Sequence, residues 1–108
     1  MQSHYQISFY VPEKQCEKVK QAMFAAGAGT LESYQECSWQ TLGKGQFKPM
    51  DGSQPFLGKT DKLEAVSEYK VEMLCDTKYI KPAIKALKSS HPYEVPAFFV
   101  IKSVIDYL

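Results

Sequence analysis

The sequence predicts an α+β sandwich of the ferredoxin-like type (βαββαβ), a four-stranded antiparallel sheet with two helices on one face. Two observations carry this expectation. Patterned segments follow one another as β-α-β, a long aperiodic stretch, and β-α-β again. A shift of 64 residues also lays Ile7 and Phe9 on Val71 and Met73, and Val19, Ala22 and Met23 on Ala83, Ala86 and Leu87. The two halves thus repeat one strand-helix unit. At 108 residues the expectation is a single domain over 1–108, long enough for one modest core.

The first strand rests on Tyr5, Ile7, Phe9 and Val11 alternating with Gln6, Ser8 and Tyr10, which gives one apolar face. A helix over 12–26 follows, because Pro12 and Glu13 suit a first turn and Cys16, Val19, Met23 and Ala26 recur at helical spacing. Gly27 is a natural terminator. Residues 34–42 read as the second strand, with Cys37, Trp39 and Thr41 on one side and Glu36, Ser38 and Gln40 on the other. Four glycines and two prolines make 43–62 aperiodic, so a long loop is expected there, mobile or functional in character.

Residues 63–75 give the cleanest alternation in the chain, with Leu63, Ala65, Tyr69, Val71, Met73 and Cys75 opposite Glu64, Glu68, Lys70 and Glu72. At about 3.3 Å per residue such a strand reaches roughly 40 Å, so one end should project past the domain body. Thr77 can cap a second helix whose Ile80, Ala83, Ile84 and Leu87 face one way and whose Lys81, Lys85 and Lys88 face another. Pro82 falls one turn inside that start, which requires a later beginning or a distorted first turn.

The segment His91-Pro92-Tyr93-Glu94-Val95-Pro96 ends this helix and opens the apolar run from Ala97 to Ile101. Each proline disfavours helical backbone at the residue before it, so His91 and Val95 should be extended, with Tyr93 and Glu94 held between them. The last strand is apolar on both faces, through Val95, Ala97, Phe99 and Ile101 and through Phe98 and Val100. Two helices cover only one side of a sheet. A second copy of the chain is the simplest cover for the other side, and a homo-oligomer is expected.

Composition narrows the function classes. Thirteen Lys plus Arg against twelve Asp plus Glu leave a formal charge of +1, so no global field recruits nucleic acid or an anionic membrane. No apolar run approaches the roughly 20 residues of a membrane helix, and the start at Met1 carries no basic and apolar leader. Three well-separated cysteines, Cys16, Cys37 and Cys75, fit a reducing compartment. The expectation is a cytoplasmic protein, with all three thiols structural because Cys37 and Cys75 fall on apolar faces.

No catalytic constellation stands out, and the chain does not read as an enzyme. Gly52-Ser53-Gln54-Pro55-Phe56-Leu57-Gly58-Lys59-Thr60 approximates a nucleotide phosphate loop, but five residues separate its glycines where that motif has four, and a strand follows instead of a helix. Looser anion binding is the ligand role left to the loop, through Lys44, Gly45, Lys48, Gly52, Ser53 and Gly58, with Tyr93 contributed by the closing motif. The competing reading is a solvated loop. His91 and Glu94 offer two metal-ligand types for zinc or copper without a cluster spacing to complete a site; the competing reading is a histidine that ends a helix by hydrogen bonding. A divalent metal is therefore the only cofactor left open.

The stretch Gly45-Gln46-Phe47-Lys48-Pro49-Met50-Asp51-Gly52-Ser53-Gln54-Pro55-Phe56-Leu57-Gly58, followed by the Glu-rich strand and His91-Pro92-Tyr93-Glu94-Val95-Pro96-Ala97, resembles the domain inserted in NGG1-interacting factor 3-like proteins of the YqfO type. The closing motif is also similar to the CutA divalent-cation-tolerance family. Both resemblances imply a PII/CutA-like variant of the ferredoxin-like fold and a tendency to form trimers. Larger members are expected to hold a two-metal site in flanking domains, outside the matched residues, so hydrolase activity is not carried over. The resemblance implies a small oligomeric binding or regulatory module. The alternative is a structural module whose loop docks on a protein partner.

Overall fold

A computed structural model describes residues 2–105, with side chains described over 4–103. The order is β1 (Gln2–Pro12), α1 (Cys16–Ala25), β2 (Trp39–Phe47), β3 (Glu64–Asp76), α2 (Ile80–Ser90) and β4 (Phe98–Ile105). The strands form one antiparallel sheet in the order β2-β3-β1-β4. This is the ferredoxin-like arrangement that the duplicated pattern predicts.

The duplication is exact at the helix starts. A 3-10 turn over Glu13–Gln15 leads into α1 at Cys16, and a 3-10 turn over Thr77–Tyr79 leads into α2 at Ile80, each 64 residues on. Both helices thus begin later than their sequence patterns suggest. The later start resolves Pro82, which lies in the first turn of α2, where its missing amide would have had no intrahelical partner. Asp76, not Thr77, caps the turn by accepting from the Lys78 amide at 3.0 Å. At the end of α1, Gly27 takes a φ of 111° with the Tyr79 ring packed where a side chain would begin.

The core lies between the helices and the face of the sheet that carries Ile7, Phe9, Val11, Val71, Met73 and Cys75. Val19 and Met23 from α1 and Ala83 and Leu87 from α2 close over it, all fully buried. Alternation therefore places Tyr10, Glu68, Gly45 and Phe47 on the opposite, helix-free face. On that face Phe99 and Ile101 of β4 remain 56% and 57% exposed, and Trp39 of β2 69%.

Three expectations need correction. The second strand spans Trp39–Phe47, five residues later than predicted, because Glu36 has a φ of 57° and breaks extended backbone just before it. Residues 43–47 accordingly belong to a strand, paired with Glu64–Glu68, and the loop is confined to 48–63. Its two strand glycines lie at a sheet edge, where the loss of side-chain packing is tolerated. Cys37, expected on a buried face, precedes the strand and is only half-buried, unlike Cys16 and Cys75.

Only β2 pairs with the start of β3, whose partnership with β1 begins at Glu68. The β2-β3 hairpin thus projects from the body, and the molecule as a whole extends over 49 × 23 × 21 Å. Among the described residues no helix is long and apolar enough to cross a membrane.

Candidate cavity at the base of the projecting hairpin

The helix-free face is not bare at the hairpin end. The 48–63 loop folds back against it and meets the segment that leads into β4. Turns hold the loop in shape: Ser53 donates its amide and hydroxyl to the Met50 carbonyl, and the Asp61 amide reaches the Pro49 carbonyl at 2.6 Å. Gly52 and Gly58 both take a φ of 90°, which makes them the positions where the loop reverses. The Gln54 amide then donates to Glu94 Oε2 at 2.8 Å and ties the loop to the closing motif. The loop is thus anchored at several points.

His91 fixes the other wall. Its backbone is extended, as the following proline requires, and its amide donates to the Leu87 carbonyl at the end of α2. The ring lies 2.6 Å from the Tyr10 carbonyl through Nε2, and Nδ1 accepts the Tyr93 amide at 3.1 Å. These partners fix the neutral tautomer with the proton on Nε2, since a carbonyl can only accept and an amide only donate. Burial, the larger influence, pushes the imidazole below its ordinary range, although the Tyr10 carbonyl and the Glu68 charge favour its proton. His91 thereby joins α2, β1 and the Tyr93 backbone.

Tyr93 in turn donates its hydroxyl to Glu68 Oε2 at 2.5 Å. Burial, and next the Glu68 hydrogen bond, raise its phenol well above the usual range, so it remains a donor. Its ring packs against Phe47 and Phe56, with centroids 6.1 and 6.5 Å away. The other Glu68 oxygen, Oε1, occupies the space over Gly45, where an added Cβ would clash with it.

The result is a cavity of about 390 Å³ lined by residues of β2, the loop, Tyr10, Glu68 and the 93–97 segment. Of the residues singled out in the sequence, Gly45, Ser53, Tyr93 and Glu94 line it, whereas Lys44, Lys48, Gly52 and Gly58 do not. Lys44 falls on the helix-side parity of β2, opposite Gly45, and Lys48 is exposed beyond the strand. His91 lies behind the wall with both ring nitrogens engaged, and Glu94 is held by the loop. Among the described residues no three His, Cys, Asp or Glu side chains are grouped to hold a metal ion. Glu68, Tyr10, Phe47 and Phe56 were not legible as site residues. Glu68 reads as one member of a charged strand face, and only the folded structure brings its side chain to Gly45 and Tyr93.

No protein-family model matches the chain. It is 39% identical over 95 residues to a Mycobacterium tuberculosis protein named GTP cyclohydrolase 1 type 2 homolog, covering 88% of this chain and 25% of that one. A Bacillus subtilis protein of the same name is 39% identical over 92 residues, covering 85% and 25%. The chain therefore spans about a quarter of the length of the curated relatives it matches. Among solved structures, a Bacillus cereus protein related to NIF3 superposes with a TM-score of 0.80 at 29% identity, over 94% of this chain and 26% of that one. The CutA divalent cation tolerance protein of Archaeoglobus fulgidus superposes at 0.66 with 17% identity, over 97% and 87%. The latter likeness concerns the fold alone.

Proposed function

From the premise that this chain belongs, through one domain-sized quarter of their length, with the NGG1-interacting factor 3-like (YqfO-type) proteins, we propose that it is a non-catalytic, oligomeric module for binding a small molecule. The observation that carries this reading is the cavity. Its walls are built from the loop and closing motif that mark the resemblance, and its volume suits a small organic ligand.

A cyclohydrolase role is not part of the proposal. The relatives' name describes proteins about four times as long, and two hydroxyls of the cavity are already committed to structure: Ser53 donates to Met50 and Tyr93 to Glu68. The Ser53 hydroxyl is turned to a backbone carbonyl, and the Tyr93 phenol, raised well above its usual range by burial and the Glu68 hydrogen bond, stays a donor. A small anion or a divalent ion would have to be held without the loop lysines lining the cavity or a free His91 nitrogen, so an organic ligand fits better.

Exposure of Phe99, Ile101 and Trp39 supports the oligomeric part of the reading, with a trimer favoured, since a second copy is the simplest cover for this face. It also supports the alternative, a structural module for a protein partner. A melting-temperature screen with nucleotides, phosphates, divalent ions and organic amines separates the two, because a ligand of the folded state alone raises the midpoint by mass action. A reproducible rise that is lost in the cavity-filling variant Ala97→Trp is expected. Indifference to the whole panel would favour the structural alternative.

A further inference from the structure

We infer that the cavity selects a small organic cation with a flat apolar body, an arylalkylamine in chemical class. The inference rests on the binding role proposed above and adds the sign and shape of the ligand. Among the described residues Glu68 and Glu94 are the only formally charged ones lining the cavity, and none of the 13 lysines does so. In a chain with a formal charge of +1, such local one-sidedness is not imposed by composition.

Each carboxylate is pre-positioned by one hydrogen bond to its Oε2, from the Tyr93 hydroxyl for Glu68 and from the Gln54 amide for Glu94. Among the described residues, Oε1 of each makes no further hydrogen bond, so an ammonium group would find acceptors already oriented. Apart from the uncharged polar residues Gln46 and Ser53, the remaining walls are mainly rings and apolar side chains, among them Tyr10, Phe47, Phe56 and Tyr93 with Pro49 and Pro55. Ring faces attract cations and stack on flat apolar bodies, whereas an anion would meet two carboxylates.

Three ligands of one skeleton test the inference by isothermal titration: tryptamine, neutral tryptophol and anionic indole-3-acetate. Tryptamine should bind about tenfold or more tightly than tryptophol, which corresponds to one cation–π or carboxylate contact, and indole-3-acetate more weakly still. Glu94→Gln keeps an acceptor for the Gln54 amide and removes the charge; it should weaken tryptamine severalfold and leave tryptophol unchanged. Ala97→Trp, which fills the cavity, should abolish all binding. Equal affinities, or a preference for indole-3-acetate, would overturn the ligand class while the cavity stands, provided Ala97→Trp removes that binding. Binding that survives Ala97→Trp, or none by any of the three, would overturn the inference and the cavity reading together.

Discussion

The Tyr93 hydroxyl donates to Glu68 Oε2 at 2.5 Å, joining the closing motif to the projecting strand β3 across 25 residues of sequence. Neither group is fully buried, yet each restricts the other: the phenol sits between Phe47 and Phe56, and the carboxylate fills the space over Gly45. Removing the hydroxyl leaves the carboxylate without its donor in a largely apolar setting. Tyr93→Phe should therefore cost about 1–2 kcal/mol, read as a lower urea midpoint with an unchanged slope. An unchanged midpoint would mean that this hydrogen bond contributes nothing net.

Gly45→Ala tests the same contact from the other side. The clash is with the end of a flexible side chain, which can swing away, so global stability should fall by less than about 1 kcal/mol. Glu68 would nevertheless leave Tyr93. The two substitutions should accordingly be non-additive, the Tyr93→Phe cost shrinking in the Gly45→Ala background. Simple additivity would show that Glu68 keeps its place despite the added methyl group.

His91 gives a pH dependence of defined sign. Burial holds the folded imidazole below its ordinary range, so the unfolded chain takes up a proton at higher pH than the folded one. The resulting stability is present above about pH 6.5 and is lost as pH falls through the folded value. A proton on Nδ1 would also displace the Tyr93 amide. Urea midpoints should drop between about pH 7.5 and about pH 5 by more in the wild type than in His91→Gln. Parallel profiles for the two proteins would remove His91 as the source.

Thiol reactivity should divide the cysteines. Burial, then the neighbouring Asp76 charge, pushes the Cys75 thiol up to about 11, and burial also raises Cys16. Cys37 is half-buried. In the native protein a thiol-specific reagent should modify Cys37 first, with Cys16 and Cys75 following only on unfolding. Faster reaction at Cys75, resolved by peptide mapping, would contradict its burial.

Assembly is the most exposed part of the reading. Phe99 is 56% exposed on the helix-free face, on the edge strand β4, so Phe99→Glu should shift light-scattering mass from oligomer to monomer without unfolding. A wild-type protein that is strictly monomeric at micromolar concentration would end the oligomer proposal.

The strands and helices were legible because their periodicities agree with what they bury: Ile7, Phe9, Val71 and Met73 all reach the core, and the 64-residue shift recurs in the structure. Residues 43–47 were misread because glycine ordinarily signals a loop, whereas an edge strand with Glu68 folded over Gly45 requires one. The lysines drew attention for their charge, but strand parity turns Lys44 away from the cavity. Gly45, Ser53, Tyr93 and Glu94, singled out in the sequence for anion or metal binding, line the cavity. Glu68, Tyr10 and Phe47 join them through strand register and Phe56 through the folding back of the loop, neither of which a local pattern encodes.

The most direct test of the central claim is an amide chemical-shift map of the labelled protein titrated with tryptamine. The cavity predicts that the perturbed amides cluster at 45–47, 53–57 and 93–97, with Tyr93 and Gln54 among them. Perturbations that instead fall along the lysine-bearing face of α2, or spread evenly over the sheet, would contradict it.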